Sequence, residues 1–244
     1  MTFQFPERSD RLLVARDPVR RALLSQGTSN QHIYQMIATY LSTKRERGGT
    51  LLDVGCGSGA LQTFVQPLVD RYVGSDLIRY DSFPEDCEFY LANFGSEALP
   101  LPEAFADIVV AAEIVEHLEN PRALMRELAR VVKPGGWLLV TTPNQLSLLS
   151  LLTLLTRHRF AAFQDANYPA HLTPLLEVDL LRMASEIDLV DVSVEWSGRG
   201  RIPKTSRHYP SVLTRFWPRG LSDNLLLAGR SRVHTTLTPR SNCR

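Results

Sequence analysis

The chain of 244 residues has no long apolar run, no paired cysteines and almost no net charge. Its longest apolar-leaning stretch, Leu146 to Leu155, is broken by Ser147, Ser150 and Thr153, and a membrane span needs about 20 residues. The three cysteines, Cys56, Cys87 and Cys243, lie far apart with no Cys-x-x-Cys spacing. That excludes a disulfide framework and a zinc ribbon, and favours a reducing, cytoplasmic compartment. Met1 to Arg11 carries Glu7, Arg8, Asp10 and Arg11 without an apolar core, so no signal peptide is expected. An internal repeat is also missing.

What is present is ordinary for a globular protein: 44% hydrophobic and 22% charged residues. The balance of 27 Lys+Arg against 26 Asp+Glu hides an asymmetry. Residues 197–244 hold ten bases and one acid, Asp223, whereas residues 1–196 hold 17 bases and 25 acids. The C-terminal fifth is therefore either a solvated basic tail or a surface facing something anionic.

Short apolar runs alternate with helical patterns. Strands are expected at Thr50–Val54, Arg71–Ser75, Glu88–Ala92, Ala106–Ala112, Trp137–Thr142, Leu189–Trp196 and Asn224–Gly229. Helices are expected at 18–24, 30–43 and 61–69, from Pro121 to a Pro134-Gly135-Gly136 stop with Lys133 on its C-terminal dipole, and at 174–185. Asn120 serves as N-cap for the Pro121 helix. Continuous apolar strands suit a parallel sheet covered on both faces, so the fold class is a doubly wound, Rossmann-like α/β sheet. The domain reading is an N-terminal helical extension at 1–48, a nucleotide-type domain at 49–230 with substrate-side insertions at 145–173 and 197–222, and a flexible tail at 231–244.

Asp53-Val54-Gly55-Cys56-Gly57-Ser58-Gly59 follows a strand and opens a helix, the position of the ligand in open α/β sheets. Asp76, at the end of the second strand, is placed to accept hydrogen bonds from a ribose diol. Gly55, Gly57 and Ala60 also satisfy the dinucleotide pattern, so NAD stays open. Charge leans the other way. No Lys or Arg lies between Gly48 and Asp70, and Asp53 would repel a pyrophosphate but attract a sulfonium cofactor with a cationic amine.

Three blocks, LLDVGCGSGAL (51–61), YVGSD (72–76) and DIVVAAEIVEHLENPRALMRELARVVKPGGWLLVTTPN (107–144), resemble the class I S-adenosylmethionine-dependent methyltransferases. More narrowly they are similar to the small-molecule branch, methyltransferase types 11 and 23. The resemblance covers about residues 48–196. It implies a seven-stranded sheet of order 3-2-1-4-5-7-6 with the last strand antiparallel, and S-adenosyl-L-methionine as cofactor. It implies that Gly55, Gly57 and Gly59 pass under the methionine part, that Asp53 holds its amino end, and that Asp76 takes the ribose hydroxyls. Asn93-Phe94 stands where the family usually has an acid and an apolar residue for the adenine, a departure that an Asn carbonyl can still serve. Glu113 would line the boundary between cofactor and acceptor.

On the acceptor side, His117 and His171 are the candidate general bases, since imidazole titrates near neutrality. Either histidine could instead be structural. Metal binding with Glu116 is set aside because Glu116 and His117 are neighbours in sequence and would point apart. The uncharged run 146–156 reads as a helix buried on the sheet or as an apolar wall of the substrate pocket. Arg157, His158 and Arg159 at its end suit an anionic group of the substrate, and the apolar surface with a basic rim also fits peripheral membrane contact. The segment 198–220 mixes bases with Tyr209, Phe216 and Trp217; a loop over the pocket ranks above a nucleic-acid surface. The leading function is methyl transfer to a small-molecule O-, N- or C-nucleophile. The alternatives are a nicotinamide-dependent oxidoreductase and a non-catalytic nucleotide- or RNA-binding module.

Overall fold

A computed structural model of the chain describes residues 27–44, 47–94 and 97–233. The expected helix at 18–24 and the tail from 234 onward lie outside these residues. The strands are β1 (Thr50–Val54), β2 (Arg71–Asp76), β3 (Glu88–Leu91), β4 (Ala106–Ala112), β5 (Val132–Pro143), β6 (Leu189–Trp196) and β7 (Asn224–Ser231). They form one sheet in the order β3-β2-β1-β4-β5-β7-β6. β3, β2, β1, β4 and β5 run parallel, and β7 is antiparallel to both β5 and β6.

The helices are α1 (Gln31–Lys44), α2 (Gln62–Val65), α3 (Pro121–Val131), α4 (Leu148–Arg157), α5 (Glu177–Glu186) and α6 (Ser211–Phe216). Strand side chains alternate between faces, so each face buries its own set. Leu52, Val54, Val109 and Ala111 pack with Leu124 and Leu128 of α3 and Leu180 of α5. Leu51, Ile108 and Val110 pack with Ile33, Ile37 and Leu41 of α1. Each such fully buried leucine contributes about 1.5–3 kcal/mol of transfer free energy.

Several expected boundaries move. The helix expected at 61–69 is a single turn, α2, followed by a 3₁₀ turn at Gln66–Leu68, because Pro67 has no N–H to continue the ladder. The Pro-Gly-Gly stop lies within β5, which starts at Val132 directly after α3. Lys133 pairs with Asp107 at 2.9 Å rather than completing a helix end. α5 begins three residues later than expected, at Glu177, where the Asp179 carboxylate accepts the Leu176 N–H at 3.1 Å. Asn120 does cap α3, accepting the Ala123 N–H at 3.1 Å.

The run 146–156 departs most. α4 is amphipathic in composition, yet only Ser150 on it is buried, and Leu155 is 75% exposed. It neither packs on the sheet as a buried helix nor walls the main cavity with its leucines.

Candidate functional site

The parallel strands end in a cavity of about 690 Å³. β1 delivers the glycine loop to it, where φ values of +75°, +52° and +75° at Gly55, Gly57 and Gly59 require glycine. β2 delivers Asp76, β3 leads into Asn93 and Phe94, and β4 leads into Glu113. Of the residues expected at the site, Gly55, Asp76, Asn93, Phe94, Glu113, His117 and His171 line this cavity. Asp53, Gly57 and Gly59 do not; they stand behind it.

Each of those three has a physical reason for its place. Asp53 is 2% exposed and accepts a 2.6 Å hydrogen bond from the Tyr72 hydroxyl. Burial raises its pKa to about 7 despite that bond, and its Oδ1 has no partner. A Cβ on Gly57 would fall 1.9 Å from the carbonyl oxygen of Gly27, which already accepts the Ser58 N–H at 2.8 Å. The space beside Gly57 is thus filled by the backbone of Gly27. A Cβ on Gly59 would meet Pro84 at 2.7 Å. Asp76 accepts N–H groups from Gly57 at 2.7 Å and Leu77 at 2.6 Å, and burial raises its pKa.

The acceptor end is built by the chain beyond β4. Glu113 adopts φ +54°, strained for a side chain of this size. Its backbone N–H donates to the Thr141 hydroxyl at 3.0 Å and its Oε2 accepts from Asn224 at 2.8 Å, leaving Oε1 buried without a partner. The 3₁₀ turn at Val115–His117 then turns the Glu116 carboxyl inward. It is fully buried, accepts from the Thr142 hydroxyl at 3.2 Å, and has an unpartnered Oε1 of its own. Burial raises the pKa of both carboxyls, Glu116 to about 8, so the pair retains a proton at neutral pH.

The loop before α5 folds back onto this turn. The Leu172 and Thr173 N–H groups donate to the Glu116 carbonyl at 2.8 and 3.0 Å. His117 and His171 thereby meet edge-on, ring centroids 4.8 Å apart. His117 Nδ1 lies 2.8 Å from the Ala170 carbonyl and His171 Nδ1 lies 2.6 Å from that of Ala162. Burial, reinforced by the His117 charge, lowers the His171 pKa to about 4. Glu116, His117 and His171 bring one ligating atom each within 4.8 Å of one another. The expectation that Glu116 and His117 point apart is therefore corrected: the turn and the returning loop make them converge. Arg157 was expected beside the substrate but is exposed and lines neither described cavity.

A methyltransferase domain is the family that matches residues 29–194. The chain belongs to the class I S-adenosylmethionine-dependent methyltransferases. A probable S-adenosylmethionine-dependent methyltransferase of Mycolicibacterium smegmatis is 28% identical over 226 residues, covering 85% of this chain and 79% of that one. A ubiquinone biosynthesis O-methyltransferase of Hydrogenovibrio crunogenus is 32% identical over 105 residues, 39% of this chain and 43% of the relative. In fold, a SAM-dependent methyltransferase from Archaeoglobus fulgidus superposes with a TM-score of 0.56 at 16% identity, covering 81% of this chain and 94% of that one.

For this methyltransferase the cavity suits the cofactor chemically: glycine backbone, a carboxylate at the end of β2 and orphaned buried carboxyl oxygens border one space. Sequence reasoning missed the segment 28–30, Tyr34 and Asn224, all of which line the cavity. The Thr28-Ser29-Asn30 run before α1 signals a helix start and nothing more. Among the described residues no helix is long and apolar enough to cross a membrane.

Proposed function

We propose that this methyltransferase acts on a small-molecule hydroxyl, with His171 as the proton acceptor. S-adenosylmethionine supplies an electrophilic methyl group on sulfur. Asp76 would accept its ribose hydroxyls, Asn93 and Phe94 would flank the adenine, Gly55 would pass beneath the methionine portion, and Asp53, backed by Tyr72, would favour the ammonium end. Glu113 would stand between cofactor and acceptor.

The observation that carries the reading is the pairing of His117 with His171 at the far end of the same cavity. A lowered pKa keeps His171 neutral at pH 7, and a proton on Nδ1, held by Ala162, puts its lone pair on Nε2. His117, held by Ala170, fixes the His171 ring from the side and acts as a positioning residue. The protonated carboxyl of the Glu113–Glu116 pair would donate a hydrogen bond rather than accept a proton. Positioning of acceptor and methyl supplies the remainder of the acceleration. O-methylation is also the activity named for the ubiquinone-biosynthesis relative.

The test uses His171→Gln with a panel of phenols and aliphatic alcohols and labelled cofactor. Turnover should fall roughly 10²–10⁴-fold, with S-adenosylhomocysteine affinity unchanged. A loss under about fivefold would remove histidine base catalysis. A second reading, a divalent cation held by Glu116, His117 and His171, is supported by their convergence within 4.8 Å. Loss of turnover in EDTA, restored by added metal, would favour it over simple proton removal.

A further inference from the structure

The connection between β6 and β7 is 27 residues long, from Ser197 to Asp223, where two antiparallel strands need only a tight turn. Trp196 pairs with Leu225, and Asn224 pairs with Pro143 at the end of β5. The insertion therefore emerges at the carboxyl ends of the parallel strands, where the cavity lies. Its inner side, through Arg199 and His208, lines a second cavity of about 380 Å³ that shares His171 and Asn224 with the first.

Its outer side is α6. Phe216 is 84% exposed, Val212 65%, Trp217 51% and Leu213 50%. At 100° per residue Val212, Leu213 and Phe216 fall within an arc of about 100°, away from the buried Thr214, and Trp217 follows at the C-cap. Solvent-facing apolar groups this concentrated mark a contact surface. The charge of the insertion is mostly positive. Residues 197–223 contain six Lys and Arg and one acid, Asp223. Arg201 and Arg219 pair with Asp223 and Glu177, and Arg199 faces the second cavity, while Lys204, Arg207 and Arg215 have no ion pair among the described residues.

We propose that α6 docks on an anionic lipid bilayer, its apolar face entering the headgroup boundary and the surrounding cations meeting lipid phosphates. An interfacial helix with aromatic residues on one face and basic neighbours has this physical signature. Three side chains on one short helix and a fourth at its C-cap cover far less than the about 800 Å² per partner that a stable dimer buries. The positive surroundings match a negatively charged surface and would repel a second copy of themselves. Docking there sets the insertion that lines the second cavity against the membrane.

The test is flotation of the full chain with phosphatidylcholine vesicles, with and without phosphatidylglycerol, so it does not depend on methyl transfer. The wild type should bind the anionic vesicles, more weakly as salt rises, and Trp217 fluorescence should shift to the blue. Phe216→Ser should weaken binding about tenfold, with S-adenosylhomocysteine affinity unchanged as the check on folding. Leu91→Ser, which removes an exposed leucine from β3 at the opposite sheet edge, should leave binding intact. No flotation by the wild type, or equal flotation by Phe216→Ser, overturns the proposal. So does a dimer in solution that Phe216→Ser dissociates without vesicles.

Discussion

The Asp76 carboxylate already accepts backbone N–H groups, Gly57 at one oxygen and Leu77 at the other with Ile78 as a third partner, and a carboxylate's two oxygens together still have capacity for a ligand hydroxyl. Removing this group therefore has two separable effects. In the ligand-free protein, Asp76→Ala strands the Gly57 N–H and should cost about 1–3 kcal/mol of stability, read as a lower denaturation midpoint. In the folded variant, S-adenosylhomocysteine should bind about 1.5–3 kcal/mol more weakly, the scale of hydrogen bonds to a charged group. A folded variant with less than about threefold weaker binding by calorimetry would take the ribose role away from Asp76. Asp76 is legible in sequence because its strand and its spacing from the glycines are local features. Glu116 is not, since its environment depends on Leu172 and Thr173, more than 50 residues away, returning to its carbonyl.

The same contrast holds for whole elements. β1, β4 and β6 have the bounds their sequences imply, because glycines, prolines and charged residues end each apolar run abruptly. The exposure of α4 could not be read so, since composition says nothing of whether an apolar face finds a partner. The glycine loop is a third case, a motif visible in sequence whose neighbour is not. Gly57 needs its hydrogen side chain because the Gly27 carbonyl sits where a Cβ would go, so the motif and the start of α1 form one unit. Gly57→Ala should push the 27–30 segment outward and break the Ser58–Gly27 hydrogen bond. Together with the left-handed backbone, that should destabilise the protein by about 1–3 kcal/mol and weaken cofactor binding through displaced Ser29 and Asn30. Gly57→Ala with unchanged melting temperature and unchanged S-adenosylhomocysteine affinity would show that 27–30 is not part of the site.

At the scale of the molecule, a doubly wound sheet buries carboxyls at a strand end and in the turn that follows one, and Asp53 on β1 and Glu116 in the turn after β4 lose their hydration there. In the unfolded chain both would ionise near pH 4. Folded, they hold their protons up to about 7 and about 8. Between those limits the native state binds more protons than the unfolded state, so stability falls as pH rises. The contribution is fully present below about pH 4 and is lost by the time pH passes the folded values. His171 acts in the opposite sense, its folded pKa lowered to about 4 from an ordinary 6.5, and its effect is confined to pH below 6.5. The interval from 6.5 to 8 therefore isolates the carboxyls. Denaturant unfolding of the ligand-free protein should show a loss of about 2 kcal/mol across that interval. Glu116→Gln, which keeps the hydrogen bond from Thr142 but cannot ionise, should remove about half or more of that loss. If wild-type stability is flat or rising between pH 6.5 and 8, the buried carboxyls are ionised in the native protein. Glu116 would then be available as a base beside His171, and the assignment of proton acceptor would pass to the carboxylate.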